Sequence, residues 1–244
     1  MILLALMLQS AAPPEASEAR YDRCVDLATA DPVAGQREAT GWALGSGGPP
    51  ARQCLGIAYA NQGKYAAAAG TFEDAARAAA TAKDARAGNY WAQAGNAWLA
   101  AGDAAKARVA LDAALAGGTL KDLALGEAHL DRARAAVAAG DSAAARGDLD
   151  QALLHAAADP LAWLLSATLA RRTGDLPRAK ADIAQALERA GDDAAVQLEA
   201  GNIAALAGDE AGARGGWTKA AQLGGDGPVA ASARAALAQF EAGK

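Results

Sequence analysis

The chain has 244 residues, of which 52% are hydrophobic and only 5% aromatic, and alanine is its commonest residue. Alanine has the highest helix propensity, so the composition favours helix throughout and argues against a sheet. The 23 basic and 28 acidic residues give a formal net charge of −5. Because no run of lysine or arginine forms a positive patch, we expect no nucleic acid partner.

The N-terminus begins with eight apolar residues followed by small ones, the pattern of a secretory leader. We therefore interpret residues 1–14 as a signal or leader segment and expect the mature protein in the bacterial periplasm or cell envelope. The segment lacks basic residues before its apolar core, so the alternatives are a frayed N-terminus or a start site placed too late, and the protein would otherwise be cytoplasmic. Beyond it no apolar run reaches the roughly 20 residues that cross a bilayer, so we expect no membrane span in the mature chain.

The segment 15–48 has the pattern of a degenerate helix pair that caps the N-terminal end. We predict helices over residues 15–30 and 33–44, broken at Asp31–Pro32, and then a turn in GSGGPP. Cys24 and Cys54 are the only two cysteines. In an exported chain they predict a disulfide between the N-terminal helices and the next segment, whereas two buried thiols are the alternative.

Five glycines recur along the rest of the chain at intervals of 39, 38, 34 and 34 residues, and an aspartate follows each of the last four. Apolar and small residues lie three and four apart on both sides of each glycine, which is typical of two amphipathic helices joined by a tight turn. Glycine suits the left-handed position that ends the first helix, and aspartate caps the second. The repeated glycines are Gly63, Gly102, Gly140, Gly174 and Gly208.

Small and bulky residues keep fixed distances from these glycines. A small residue lies seven positions before each glycine and another lies five positions after it. We expect the large residue found nine positions after each glycine to fill the space between one helix pair and the next. These large residues are Phe72, Leu111, Leu149, Ile183 and Trp217.

This pattern resembles the tetratricopeptide repeat (TPR) over about residues 49–227. The second unit is the most similar, with Trp91, Gly95, Trp98, Gly102, Ala107, Leu111 and Ala114 at the family's spacings. The resemblance implies an all-α, right-handed superhelical solenoid of antiparallel helix pairs, with about 13 helices. We assign five repeats to residues 49–82, 88–121, 126–159, 160–193 and 194–227, and a C-terminal capping helix to residues 228–244.

No set of residues in the sequence has the pattern of a catalytic or metal site. His129 and His155 lack partners at zinc-like spacing, and no nucleophile motif is present. The glycine-rich segments lack the lysine followed by a hydroxyl residue that grips a phosphate. We expect the carboxylates to lie on solvated helix faces. The sequence therefore predicts no catalytic residues, no metal and no cofactor, and leaves an enzyme as a remote alternative.

The first helix of each unit carries side chains that the repeat pattern does not use for packing. If the array curves as the family implies, these side chains form a concave groove with amide donors, an arginine cluster and leucine patches. Such a groove suits an extended peptide or a short helix of a protein partner, although the arginines could simply solvate a helix face. The candidate groove residues are Asn61, Asn96, Leu99, Leu130, Arg134, Leu164, Thr168, Arg171, Arg172, Leu198 and Asn202.

The sequence thus predicts a non-catalytic scaffold that binds a partner peptide or helix in the groove. The alternative is a chaperone-like or assembly subunit of a cell-envelope complex that docks through its ends or its convex face. The partner, the pathway and the oligomeric state are not predicted by the sequence.

Overall fold

The computed structural model describes residues 14–242, in which all regular secondary structure is α-helix. The described part of the chain contains 13 helices, so the predicted all-α class is confirmed. The leader predicted at residues 1–14 lies outside the described residues except for Pro14, which begins the first helix. The chain divides into two compact units between Leu120 and Lys121.

Each unit is built from helices that are consecutive in the chain and pack against each other. The first unit contains α1 (Pro14–Ala30), α2 (Pro32–Leu44), α3 (Gly48–Asn61), α4 (Tyr65–Thr81), α5 (Ala87–Ala100) and α6 (Ala104–Ala116). The second contains α7 (Asp122–Ala138), α8 (Ser142–His155), α9 (Pro160–Arg172), α10 (Leu176–Ala190), α11 (Ala194–Leu206), α12 (Glu210–Leu223) and α13 (Pro228–Ala242).

The turns between paired helices follow the glycine and aspartate pattern of the sequence. The five repeated glycines have φ values of 71, 79, 78, 83 and 75°, in the left-handed region that only glycine enters without strain. In the last four turns the aspartate side chain accepts an N–H from the start of the next helix, as Asp103 does from Lys106. Lys64, in the first turn, makes no such cap.

The segment 15–44 forms two helices, α1 and α2. The Asp31 side chain accepts the N–H groups of Val33 and Ala34 and so caps α2, which Pro32 begins. The predicted turn at 45–50 is shorter than expected, because α3 already starts at Gly48. Pro49 and Pro50 then fall in the first turn of a helix, where the missing N–H groups would have no partner.

A disulfide joins α1 to α3 in the first unit. Cys24 and Cys54 are bonded, with their Cα atoms 6.1 Å apart and both side chains fully buried. They share a buried cluster with Trp42 of α2. The three N-terminal helices therefore form one covalently closed group.

The cores of the second unit place each large residue against the following helix pair. Leu149 of α8 shares a buried cluster with Leu169 of α9, and Ile183 of α10 with Ile203 of α11. Trp217 of α12 packs against α13 in the same way. The prediction is confirmed for these three residues, and small residues of the facing helices complete the thin, alanine-rich cores.

Candidate functional site

A cavity of about 280 Å³ opens between α7 and α9 in the second unit, beside α8. We call it the α7–α9 slot. Its floor is apolar: Leu149 and Leu169 are buried, while Val137 and Leu165 are half-buried. The slot is lined by Ala133, Arg134, Val137, Ala138, Leu149, Leu165, Thr168, Leu169 and Arg172.

Two arginines supply all the charge in the lining of this slot. Arg134 comes from α7 and its Nη1 atom donates to Asp131 Oδ1 at 2.8 Å, with the side chain 43% exposed. Arg172 ends α9, is exposed, and has no side-chain hydrogen bond or ion pair to any described residue. Both guanidinium groups therefore have N–H donors available at the edge of an apolar floor.

Thr168 also lines the slot but is already bonded. Its hydroxyl donates to the Leu164 carbonyl oxygen, one turn earlier in α9, at 2.9 Å. The threonine therefore shapes the wall of the slot, while the free donors at its edge come from the arginines.

Leu130 does not belong to the candidate groove, which corrects the sequence-based expectation. Its side chain is only 4% exposed and lies in the core cluster of α7, α8 and α9. The repeat spacing predicts the free face of α7 for this residue, but its side chain packs against the neighbouring helices. Leu164 and Leu198 are half-buried, and each packs along the edge of a core cluster.

Arg171 and Asn202 are held by partners inside the protein. Arg171 of α9 forms an ion pair with the buried Glu199 of α11, with Nε to Oε1 at 2.6 Å. The Asn202 amide donates to the same carboxylate, and its oxygen accepts the indole N–H of Trp217 at 2.9 Å. These side chains tie α9, α11 and α12 together, so they are less available to a ligand than Arg134 and Arg172.

Three candidates lie in the first unit. Asn61 is exposed at the end of α3, and its amide donates to the Ala28 carbonyl oxygen of α1 at 3.0 Å. Asn96 is exposed on α5, and Leu99 on the same helix is half-buried. Asn61 is therefore already used to join two helices.

The second unit contains a buried ionic cluster that the repeat pattern does not predict. Asp148 of α8 is 6% exposed and accepts hydrogen bonds from Arg132 of α7, at 2.7 and 2.9 Å. The His129 Nδ1 atom lies 2.9 Å from the same carboxylate. Burial favours the neutral acid, but the contacts with His129 and Arg132 outweigh it and lower the pKa of Asp148.

A second cluster repeats this arrangement one helix pair later. The Ser166 hydroxyl of α9 donates to the buried carboxylate of Asp182 on α10, which also accepts from Arg178. Arg146 of α8 reaches the same serine at 2.8 Å, and Arg146 and Arg178 share Asp150. The expectation that carboxylates lie on solvated faces is therefore wrong for Asp148, Asp182 and Glu199, whose charges are paired inside the unit.

Another cavity, of about 550 Å³, lies against α10, α11 and α12. Its walls are mostly apolar, including Ile183, Leu187 and Ile203, and Ala184 is an exposed residue at its edge. Lys180 and Asp209 line it with opposite charges, so its lining has no net charge.

The described residues contain no group of three or more histidine, cysteine, aspartate or glutamate side chains that could hold a metal ion. Among these same residues, no helix is both long enough and apolar enough to span a membrane.

Solved structures show which fold this helical array has. The structure of pilF from Pseudomonas aeruginosa aligns with a TM-score of 0.73 at 13% identity, over 94% of this chain and 100% of that one. PilW, described as a widely conserved type IV pilus biogenesis factor, aligns with a TM-score of 0.72 at 17% identity, over 92% and 100%. YrrB, described as a TPR protein with an unusual peptide-binding site, gives 0.57 at 18% identity, over 76% and 91%. No protein-family model matches the chain, and no curated protein matches it in sequence.

The chain is thus a helical-repeat protein with the fold of the TPR solenoids. The resemblance read from the glycine turns and from the alternation of small and large residues is confirmed at the level of the fold.

Proposed function

We propose that this protein is a non-catalytic interaction module that holds a segment of a partner protein in the α7–α9 slot. One observation carries the proposal: an apolar floor lies beside the unpaired guanidinium of Arg172 and the exposed Arg134. A hydrophobic surface with a few polar groups that fix orientation is what a binding site for a peptide or short helix needs.

The structural neighbours support an interaction role. They have the TPR fold, and YrrB is described as having a peptide-binding site. In a helical repeat each unit contacts only its neighbours, which leaves long faces available for partners. Leu164 and Leu198, on α9 and α11 of the second unit, are half-buried and do not line the slot.

The proposal includes export to an oxidising compartment. The buried Cys24–Cys54 disulfide supports it, because disulfides persist mainly in the periplasm and outside cells. The apolar residues 1–8 supply the leader in this scheme. PilW, a structural neighbour, is described as a pilus biogenesis factor, which fits a role at the cell envelope.

A blocking substitution tests the slot directly. Ala138 is exposed and lines the slot, so Ala138→Trp should fill it without entering the core. Peptides are selected on the 244-residue chain from a random phage-displayed library. We expect them to bind the wild type and not to bind the A138W variant. The matched control is Ala184→Trp, which places the same indole at the edge of the second cavity.

The two variants also separate this proposal from docking through another face. If selected peptides still bind the A138W variant but no longer bind the A184W variant, the second cavity is the binding surface and the proposed use of the α7–α9 slot is wrong. If no selected peptide is affected by A138W, the proposed use of the α7–α9 slot is wrong.

A further inference from the structure

The chemistry of the slot restricts which partner segments it can hold. We infer that the segment carries one large apolar side chain, seated on the floor of the slot, with carboxylate groups beside it that reach Arg134 and Arg172. This inference rests on the proposed function and adds the chemical class of the partner to it.

The size of the slot sets the apolar part of the segment. Its volume of about 280 Å³ lies just below the range of about 300–1,000 Å³ that holds whole drug-sized ligands. A slot of this size has room for one large apolar side chain of a partner segment. Val137, Leu149, Leu165 and Leu169 offer such a side chain only carbon contacts, so an apolar group is favoured and a polar one would lose its hydration.

The charge at the edge of the slot sets the polar part of the segment. None of the nine lining residues is acidic, and two are arginines. Asp131 balances part of the charge of Arg134, while Arg172 has no partner among the described residues. This edge is therefore positive on a chain whose formal net charge is −5, and a guanidinium group prefers carboxylate partners.

The neighbouring charges do not cancel this preference. Arg171, next to Arg172 in the chain, is neutralised by Glu199 of α11. Arg132 of α7 is neutralised by Asp148 of α8. The positive charge that a ligand meets at the slot thus comes from Arg134 and Arg172. A segment with lysine or arginine beside its apolar residue would be repelled there.

Charge reversal of these two residues tests the inference on the whole 244-residue chain. Peptides are selected on the wild type from a random phage-displayed library, and their sequences and affinities are then measured. We expect enrichment of aspartate or glutamate beside a leucine, phenylalanine or similar residue. We also expect Arg172→Glu to weaken binding about tenfold, with a further loss on adding Arg134→Glu. Lys219→Glu, an exposed reversal on α12 outside both cavities, is the matched control and should bind as the wild type does.

A new selection on the double reversal variant gives a second readout that does not depend on lost binding. It should enrich basic residues in place of acidic ones, beside the same kind of apolar residue. Wild-type binding should also weaken as salt is added, because these charges are exposed.

The outcomes separate the inference from the proposed function. Suppose that the selected peptides do not bind the A138W variant but bind the wild type and the double reversal variant with equal affinity. The slot would then still be the binding site, but its preference for acidic segments would be wrong. Peptides with basic residues enriched on the wild type would lead to the same conclusion. If A138W affects no selected peptide, both the inference and the proposed function fail.

Discussion

The indole of Trp217 occupies the space that a side chain at Gly201 would need. A Cβ atom built on Gly201 would come within 2.6 Å of Trp217 Cδ1, and the indole N–H is fixed by the Asn202 amide oxygen. The two residues are 16 positions apart, on either side of the turn at Gly208. The absence of a side chain on α11 therefore sets how closely α12 approaches it.

Adding a methyl group at Gly201 tests this contact. We expect Gly201→Ala to lower the free energy of unfolding by about 1–3 kcal/mol, since the indole must move and strain its neighbours. Gly215→Ala is the matched control on α12, where an added Cβ would meet nothing within 4 Å. It should raise the free energy of unfolding by about 0.5–1 kcal/mol, because alanine suits a helix better than glycine. Urea unfolding of both variants measures the difference, and equal effects would contradict the packing described.

The first turn offers a stabilising substitution. Lys64 precedes α4 without a side-chain cap, whereas aspartate caps the equivalent helix in the other four turns. Lys64→Asp should therefore raise the free energy of unfolding by about 1 kcal/mol. Asp103→Ala should lower it by a similar amount. Thermal unfolding of both variants and of the wild type measures these changes. If K64D is no more stable than the wild type, this turn cannot position a capping aspartate.

The buried carboxylate of Asp148 predicts a dependence of stability on pH. In the folded protein its pKa is lowered, whereas in the unfolded chain an aspartate has a pKa of about 3.9. The ionised carboxylate therefore stabilises the folded state relative to the unfolded state. The stabilisation is therefore complete above about pH 5 and is lost as the pH falls below about 4.

Asp148→Asn should remove that dependence. At pH 7 we expect it to lower the free energy of unfolding by about 2 kcal/mol, because Arg132 loses a charged partner. The gap between wild type and variant should narrow at pH 3, as measured by urea unfolding. The exposed Asp192→Asn is the control and should behave like the wild type at both values. A gap that stays constant with pH would contradict the account.

Reduction should weaken the first unit. The Cys24–Cys54 bond closes a loop over 30 positions, and the chain-entropy estimate of its contribution is about 3–4 kcal/mol. We expect a reductant to lower the melting temperature of the wild type. A variant with alanine at both positions should melt near the temperature of the reduced wild type and should not respond to reductant. If the melting temperature of the wild type does not change when reductant is present throughout unfolding, the bond does not form.

The sequence was informative where one residue decides a backbone conformation. The left-handed turns at Gly63 to Gly208 and the aspartate caps follow from single residues, so they could be predicted without knowing the packing. The large residues nine positions after each glycine could also be placed, because a repeat puts equivalent residues in equivalent contacts.

The side chains of the site were harder to predict because their surroundings depend on several helices at once. Leu130 has the spacing of a free face but lies in the core, and Arg171 was grouped with Arg172 although Glu199 neutralises it. A signal for the buried carboxylates did exist. Asp148 and Asp182 each follow a repeated glycine by eight positions, and their partners Arg132 and Ser166 precede it by eight. Residues that straddle the turn in this way meet across the helix pair.

The most direct measurement for the central claim is an amide NMR titration of the whole 244-residue chain with one peptide selected on the wild type. The account predicts that the largest shifts fall on residues of the α7–α9 slot, above all Arg134, Val137, Thr168, Leu169 and Arg172, and that they disappear in the A138W variant. Shifts centred on α10 to α12, or shifts that persist unchanged in A138W, would contradict it.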